Sequence, residues 1–256
     1  MTNLIILTAT VKPQVSHGLR RINPELRLKD YIDTIERTLK QIKRIDAEVL
    51  LLENSDCMNL IADTLRDRSA NSNKLHFLSC SLDLSSESDG ISSGEHSMLR
   101  YAAANFDLLS YDFIWKLTGR LWIQNLEQII LKSSGDMRVN TFFSQHHSCD
   151  SRFFGMKSEV FCRFAKTNPS YGKSGFVDYD QATESKYEAM EYFLAHFLLR
   201  AESAGYTFKS LNKIPMYRGV SGSTGKVLDN VWVRLKIALA NKMRNLLRKG
   251  LLGVNP

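Results

Sequence analysis

The chain opens on a short apolar run, Leu4-Ile5-Ile6-Leu7, that ends in Thr8-Ala9-Thr10. An unbroken apolar run bounded by small polar residues predicts a strand buried on both faces. Residues 20–27 are polar and predict a loop. Over residues 29–44, Tyr31, Ile35, Leu39 and Ile42 recur on one helical face. Glu48 to Leu52 predicts a second buried strand, ending at Glu53-Asn54-Ser55. Ser55 or Asp56 is placed to cap a helix running to Arg68. Leu75 to Cys80 predicts a third strand, and the Ser-, Asp- and Gly-rich residues 83–94 a mobile loop. Gly94-Glu95 opens a helix to Leu109, and Tyr111 to Leu117 is a fourth strand. Further elements follow: a helix over Asn125 to Lys132, a strand over Met137 to Phe143, and a short helix over Ser158 to Ala165. A long helix over Thr183 to Ala204 comes next, and Asn230 to Lys249 is the terminal helix.

Strands alternating with helices over the first half predict an α/β fold, a mainly parallel sheet with helices on both faces. In such sheets ligands bind outside the carboxyl ends of the strands. Three polar clusters follow directly on predicted strands: Thr8-Ala9-Thr10, Glu53-Asn54-Ser55 and Thr118-Gly119-Arg120. Their convergence on one edge predicts a site there.

Composition narrows the class. With 256 residues, 43% of them apolar, the chain suffices for one sizeable core. We expect one α/β domain over residues 1–225 and a basic appendage over 226–256. No stretch of 18 apolar residues predicts a membrane-spanning helix. Met1 to Thr10 lacks a basic n-region, so no signal peptide is expected. Cys57, Cys80, Cys149 and Cys162 form no Cys-x-x-Cys pair. Free thiols in a reducing cytoplasm are therefore expected.

The net charge of +7 is concentrated. Residues 226–256 carry seven Lys or Arg against Asp229 alone, so +6 of it lies in this tail. Over 230–249 the cations alternate with Trp232, Val233, Leu235, Leu239, Met243, Leu246 and Leu247. Such a helix can lie on an anionic membrane surface, or dock its apolar side on the core. Charge confined to one tail, with no reading motif, argues against a nucleic-acid partner.

The chemistry-bearing motifs are few. No Gly-x-Gly-x-x-Gly follows the first strand and no Walker loop occurs, which disfavours dinucleotide and P-loop enzymes. No Gly-x-Ser-x-Gly elbow is present. Lys116-Leu117-Thr118-Gly119-Arg120 offers two cations, a hydroxyl and a glycine, a set able to hold a diphosphate. It reads equally as a strand-to-loop turn with solvated cations. Ser221-Gly222-Ser223-Thr224-Gly225 could cradle a phosphate on backbone N–H groups, or serve as a flexible linker. Glu184, Glu188 and Glu191 lie near the start of the long helix. One of them could take a proton from an acceptor hydroxyl, or all could complement the helix dipole. His146-His147 and Asp150 do not define a metal site, and His96 and His196 read as structural.

In order, the chain has Thr8-Ala9-Thr10, Pro13, and Arg27 ahead of Asp30-Tyr31. Glu53-Asn54-Ser55, Gly94-Glu95 and Asp112 to Arg120 come next. Asp150-Ser151-Arg152-Phe153-Phe154-Gly155, Glu191 and Gly219 to Gly225 complete the set. This set, over nearly the whole chain, resembles bacterial glycosyltransferases of the GT-A fold found in capsule and O-antigen gene clusters. The resemblance implies a Rossmann-like GT-A sheet with an activated sugar donor at its carboxyl edge. Thr8, Ala9 and Thr10 would lie near the base or ribose. Arg27, Glu53, Asn54 and Glu95 would border the pocket, and Ser221, Ser223 and Thr224 would bind the donor with them.

The chain departs from most of that fold where an Asp-x-Asp would chelate a cation. There it carries Lys116 to Arg120, which implies metal-independent transfer with no divalent cofactor. The expectation is transfer to a surface-polysaccharide or lipid-linked glycan acceptor at the inner face of the cytoplasmic membrane. Lys116, Thr118, Gly119 and Arg120 would hold donor phosphate. Glu191 would be the base, with Glu188 or Asp150 behind it. The alternatives are a non-catalytic sugar-nucleotide or glycan-binding subunit, and a nucleotidyltransferase.

Overall fold

The computed structural model describes residues 1–13, 19–67, 73–80, 90–132, 135–139, 142–143, 148–167, 190–221, 225 and 227–228. The chain is an α/β fold built on a mixed, mainly parallel sheet of seven strands flanked by helices. The first apolar run forms β1 (Asn3–Ala9), buried along its whole length. Pro24 at the first position and the Asn23 side chain, which accepts from Leu26 N, start α1 (Pro24–Gln41) five residues earlier than its apolar spacing indicates. β2 (Ala47–Glu53), α2 (Met58–Asp67) and β3 (Leu75–Ser79) follow. α3 (Gly90–Asn105) then leads to β4 (Phe113–Thr118).

Ser55 and Asp56 do not cap α2, which begins beyond them. The Ser55 hydroxyl instead accepts from Val11 N and Lys12 N, both at 2.9 Å, and donates to Glu53.

β5 (Leu121–Ile123), α4 (Leu126–Ile130) and β6 (Met137–Val139) come next. The single strand expected over 137–143 is split, since β7 (Phe142–Phe143) pairs with β8 (Ser148–Cys149) in a separate ribbon. β9 (Phe153–Lys157), α5 (Ser158–Lys166), α6 (Met190–Ser203), β10 (Phe208–Ser210) and β11 (Tyr217–Gly219) complete the described elements. The terminal helix expected over 230–249 lies outside the described residues.

The sheet order is β10-β6-β9-β4-β1-β2-β3. Only β9 runs against its neighbours, antiparallel to β4 and to β6. β1 lies between β2 and β4, parallel to both, with Thr8 level with Leu52 and Thr118. Alternation divides the strands between two cores. Leu4, Ile6, Leu50, Leu52 and Ile114 pack on α3, α5 and α6. Ile5, Leu7, Val49, Leu51, Trp115 and Leu117 pack on α1, α2 and α4. Two strand positions apart means the same face, so Lys116 follows Ile114 onto the α3 side. β5 and β11 form an antiparallel ribbon over the α1 side, with Gly219 opposite Leu121. Among the described residues, no helix is long and apolar enough to cross a membrane. All four cysteines are free.

Candidate functional site at the carboxyl edge of the sheet

The carboxyl ends of β1, β2 and β4 lie side by side, which brings the three polar clusters to one edge. Backbone hydrogen bonds carry the pairing past the strand ends. Asn54 N donates to Ala9 O at 3.3 Å, Gly119 N to Thr8 O at 3.1 Å and Cys80 N to Glu53 O at 2.7 Å. At Gly119 a Cβ would collide with the Thr8 carbonyl oxygen. The glycine is therefore required by the neighbouring strand, whatever ligand approaches.

On the α1 side the chain after β1 is clamped. Tyr31 OH accepts from Thr10 N at 3.0 Å and donates to Thr10 O at 3.2 Å. Arg27 is 3% exposed and is wired throughout. Its Nε donates to Thr10 O at 2.7 Å, Nη1 to Arg21 O at 2.9 Å and Nη2 to Tyr31 OH at 3.1 Å. Burial pulls its pKa below the usual arginine value. The charge of Arg120 pulls it the same way, while Tyr31 opposes both. Thr10 Oγ1 and Asn54 Oδ1 are 2.6 Å apart.

Glu53 was expected to border the pocket, but it is fully buried and fully used. It accepts from Val11 N at 3.3 Å, Ser55 N at 3.0 Å, Cys57 N at 2.8 Å and the Ser55 hydroxyl. It ties the loops after β1 and β2 together. Burial, with Glu53 nearby, pushes the Cys80 thiol up to about 12, which leaves it protonated and unreactive.

The two cations of the Lys116 to Arg120 segment have different surroundings. Lys116 is 0% exposed. Its ammonium meets Glu95 Oε1 at 2.7 Å, Ser151 O at 2.7 Å and Thr118 Oγ1 at 3.1 Å. Three protons have three acceptors, so none remains for a donor phosphate. The expected phosphate role of Lys116 thus meets a geometric obstacle, and its visible role is to cross-link. Glu95 Oε1 also accepts from Thr8 Oγ1 at 2.8 Å. Ser151 Oγ reaches Glu191 Oε1 at 2.6 Å.

Arg120 is 9% exposed. Its Nε and Nη1 are buried and have no hydrogen-bond partner among the described residues. Its backbone carbonyl lies where a Cβ on Gly219 would be, and Gly219 has φ +107°.

Asp150 is buried and committed. Its carboxylate takes Arg152 Nε at 2.8 Å, Arg152 Nη2 at 2.7 Å and Tyr217 OH at 3.2 Å. The Arg152 guanidinium lies 4.4 Å from the Tyr217 ring centroid. Those bonds make Asp150 an anchor for the loop ahead of β9, and a poor stand-in base. His96 is packed against Phe164 and Phe193, with Nε2 at 3.3 Å from Phe164 O.

Ser221 O accepts from Gly225 N at 2.8 Å, beside the bridge between Val220 and Val227. A Cβ on Gly225 would lie 3.4 Å from Arg20 Cβ. This brings Gly225 close to Arg20, in the chain ahead of α1. Glu184, Glu188, His146, His147, Ser223 and Thr224 lie outside the described residues. Among the described residues, no group of three or more His, Cys, Asp or Glu side chains could hold a metal ion. Ser151 and Tyr217 were not anticipated as site residues. Ser151 acts partly through its carbonyl, which has no signature in a sequence.

No family model and no curated protein matches the chain. Solved structures of similar fold include a protein designated a nucleotide-diphospho-sugar transferase, from Desulfovibrio desulfuricans. It is 12% identical with a TM-score of 0.46, and the match covers 82% of this chain and 80% of that one. HddC from Yersinia pseudotuberculosis, solved with GMP-PN, is 9% identical with a TM-score of 0.49, covering 94% and 100%. 4-Diphosphocytidyl-2C-methyl-D-erythritol synthase from Anaerococcus prevotii is 14% identical with a TM-score of 0.45, covering 95% and 96%. At TM-scores below 0.5 these likenesses carry no functional inference, and the geometry of the sheet edge bears the weight.

Proposed function

We propose that the chain is a transferase that takes a sugar from a nucleotide- or phosphate-activated donor seated at the carboxyl edge of β1, β2 and β4. The observation that carries this reading is the meeting of three strand-end polar clusters at one edge. There the clamped Thr10 past β1 and Asn54 past β2 lie at the same edge as a buried cation, Arg120, past β4. In parallel α/β sheets that edge is where ligands bind. The resemblance of the ordered residues to GT-A glycosyltransferases supports the same reading.

In this proposal Thr8, Ala9, Thr10 and Asn54 line the base and ribose side. Arg120, carried by the turn that Thr118 and Gly119 make, binds the donor phosphates, and Ser221, Ser223 and Thr224 contribute further donors to them. Arg27, Glu53 and Glu95 shape the pocket from behind through the bonds described above. Glu191 takes the proton from the acceptor hydroxyl, held by Ser151. The acceptor is a surface-polysaccharide or lipid-linked glycan, and the basic segment 230–249 brings the enzyme to an anionic membrane surface.

The test is thermal-shift and calorimetric titration with UDP, GDP, CDP and dTDP and their sugar conjugates, followed by mass spectrometry of products. Release of nucleoside diphosphate or monophosphate with sugar transfer is expected. Pyrophosphate release from a nucleoside triphosphate and a sugar phosphate would instead identify a nucleotidyltransferase. Binding without turnover, unchanged in Glu191→Gln, would identify a non-catalytic subunit. A complete lack of binding across the panel would remove the donor reading.

A further inference from the structure

We propose that Arg120 is the centre of an anion site that takes the diphosphate of a nucleotide by direct guanidinium contact, with no bridging cation. A buried guanidinium normally has a carboxylate or several carbonyl oxygens around it, because burying an unpaired charge is costly. Arg120 is 9% exposed, and its Nε and Nη1 have neither among the described residues. The charge acting between it and Arg27 is of like sign. Arg27 cannot turn to relieve this, because all three of its nitrogens are held. Asp30 acts on Arg27 only at a distance, through its charge, because its carboxylate is hydrogen-bonded to Arg21, at 2.9 Å. Among the described residues no carboxylate is hydrogen-bonded to either buried guanidinium, which leaves excess positive charge at the end of β1, and an anion is what completes it.

The site is preformed. Gly119 N is bound to Thr8 O ahead of Arg120, and the missing Cβ of Gly219 admits the Arg120 carbonyl behind it. The backbone at Arg120 is thus fixed on both sides, and burial confines its side chain, so limited ordering is left for the ligand to impose. A planar guanidinium fork matches phosphate oxygens geometrically, and it carries the positive charge that a divalent ion would otherwise supply. Lys116 contributes nothing here, since its protons are spent on the other face of the sheet. Naming the anion as a nucleotide's diphosphate rests on the donor reading above. The anion site itself does not.

The experiment is isothermal titration of the full chain with inorganic phosphate, pyrophosphate, UDP and GDP, at low salt in excess EDTA and again with Mg²⁺. Wild type is expected to bind pyrophosphate or a nucleoside diphosphate in EDTA, and Mg²⁺ should not strengthen that binding, since it competes with the site by chelating the free diphosphate. Arg120→Ala should weaken that binding by about tenfold or more, and Arg120→Lys by less, since one point charge replaces a fork. Circular dichroism confirms that each variant is folded, and Arg120→Gln serves if Arg120→Ala is not. Binding that needs Mg²⁺, binding undiminished without Arg120, or no binding of any of the four anions would overturn the proposal. Pyrophosphate bound through Arg120 with no sugar nucleotide turned over would leave this site standing and remove the donor reading. Turnover of a sugar nucleotide unaffected by Arg120→Ala would do the reverse.

Discussion

Lys116 and Arg120 are four residues apart in one short segment, both cationic and both buried, yet they belong to opposite kinds of site. Lys116 turns onto the α3 side, where its ammonium meets three oxygens and fastens β1, β4, α3 and the 150–152 loop together. Arg120 lies on the α1 side beside another arginine, with two buried nitrogens and no partner among the described residues. Burial does not separate the two. What separates them is whether the buried charge is satisfied. A satisfied charge holds the fold, whereas an unsatisfied one costs stability that a bound ligand can recover.

The sharpest way to break this contrast is to remove each cation in turn and measure stability. Lys116→Met leaves the Glu95 carboxylate and two further acceptors without their donor. It should lower the free energy of unfolding by about 3–5 kcal/mol in urea denaturation. Arg120→Met removes a charge whose Nε and Nη1 have no hydrogen-bond partner among the described residues to orphan. It should change stability by no more than about 1 kcal/mol, in either direction. Equal losses in the two variants would mean that Arg120 is as well satisfied as Lys116, and the contrast would fail.

Much of this arrangement is legible in the chain itself, though unevenly. β1, β2 and β4 are apolar runs ending in small polar residues, and the rule for parallel sheets then brings Thr8, Asn54 and Thr118 to one edge. The division of Lys116 from Arg120 is half legible. Two-residue alternation sends Lys116 to the face of Ile114, but the turn at Gly119 breaks the count before Arg120. β9 carries no such signal. Its Phe153-Phe154-Gly155-Met156 stretch is too short to separate from a loop, and its antiparallel direction follows from tertiary pairing with β4 and β6. Gly155 illustrates the same limit, because its small size is demanded by the Phe113 and Trp115 rings on the neighbouring strand. The commitment of Glu53 is equally hidden, since three of its four donors are backbone N–H groups.

A second substitution sharpens the contrast at the point where the two regions join. In Gly119→Ala the new methyl group meets the Thr8 carbonyl oxygen, a backbone atom that cannot step aside. The strand ends must separate, at a cost of about 1–3 kcal/mol in unfolding free energy. Because Thr8 serves the Glu95 network and Gly119 positions Arg120, nucleotide binding should weaken together with stability. If calorimetric affinity stayed at the wild-type value while stability fell, Arg120 would not depend on this junction for its placement.

The smallest effect on stability is expected at Ser151, the link from Lys116 to Glu191. Ser151→Ala keeps the carbonyl that Lys116 binds and removes only the hydroxyl 2.6 Å from Glu191 Oε1. The cost to stability should be about 1 kcal/mol, the usual value of one hydrogen bond. If Glu191 accepts the acceptor proton, the loss should fall on turnover. Donor KM should stay unchanged while kcat drops by about tenfold, equivalent to about 1.4 kcal/mol of transition-state positioning. Ser151→Thr restores a hydroxyl at the same place and should recover most of that loss. A fall in donor affinity with kcat intact would assign Ser151 to the pocket wall instead. It would also confine the functional role of the Lys116 side to holding the sheet edge on which Arg120 works.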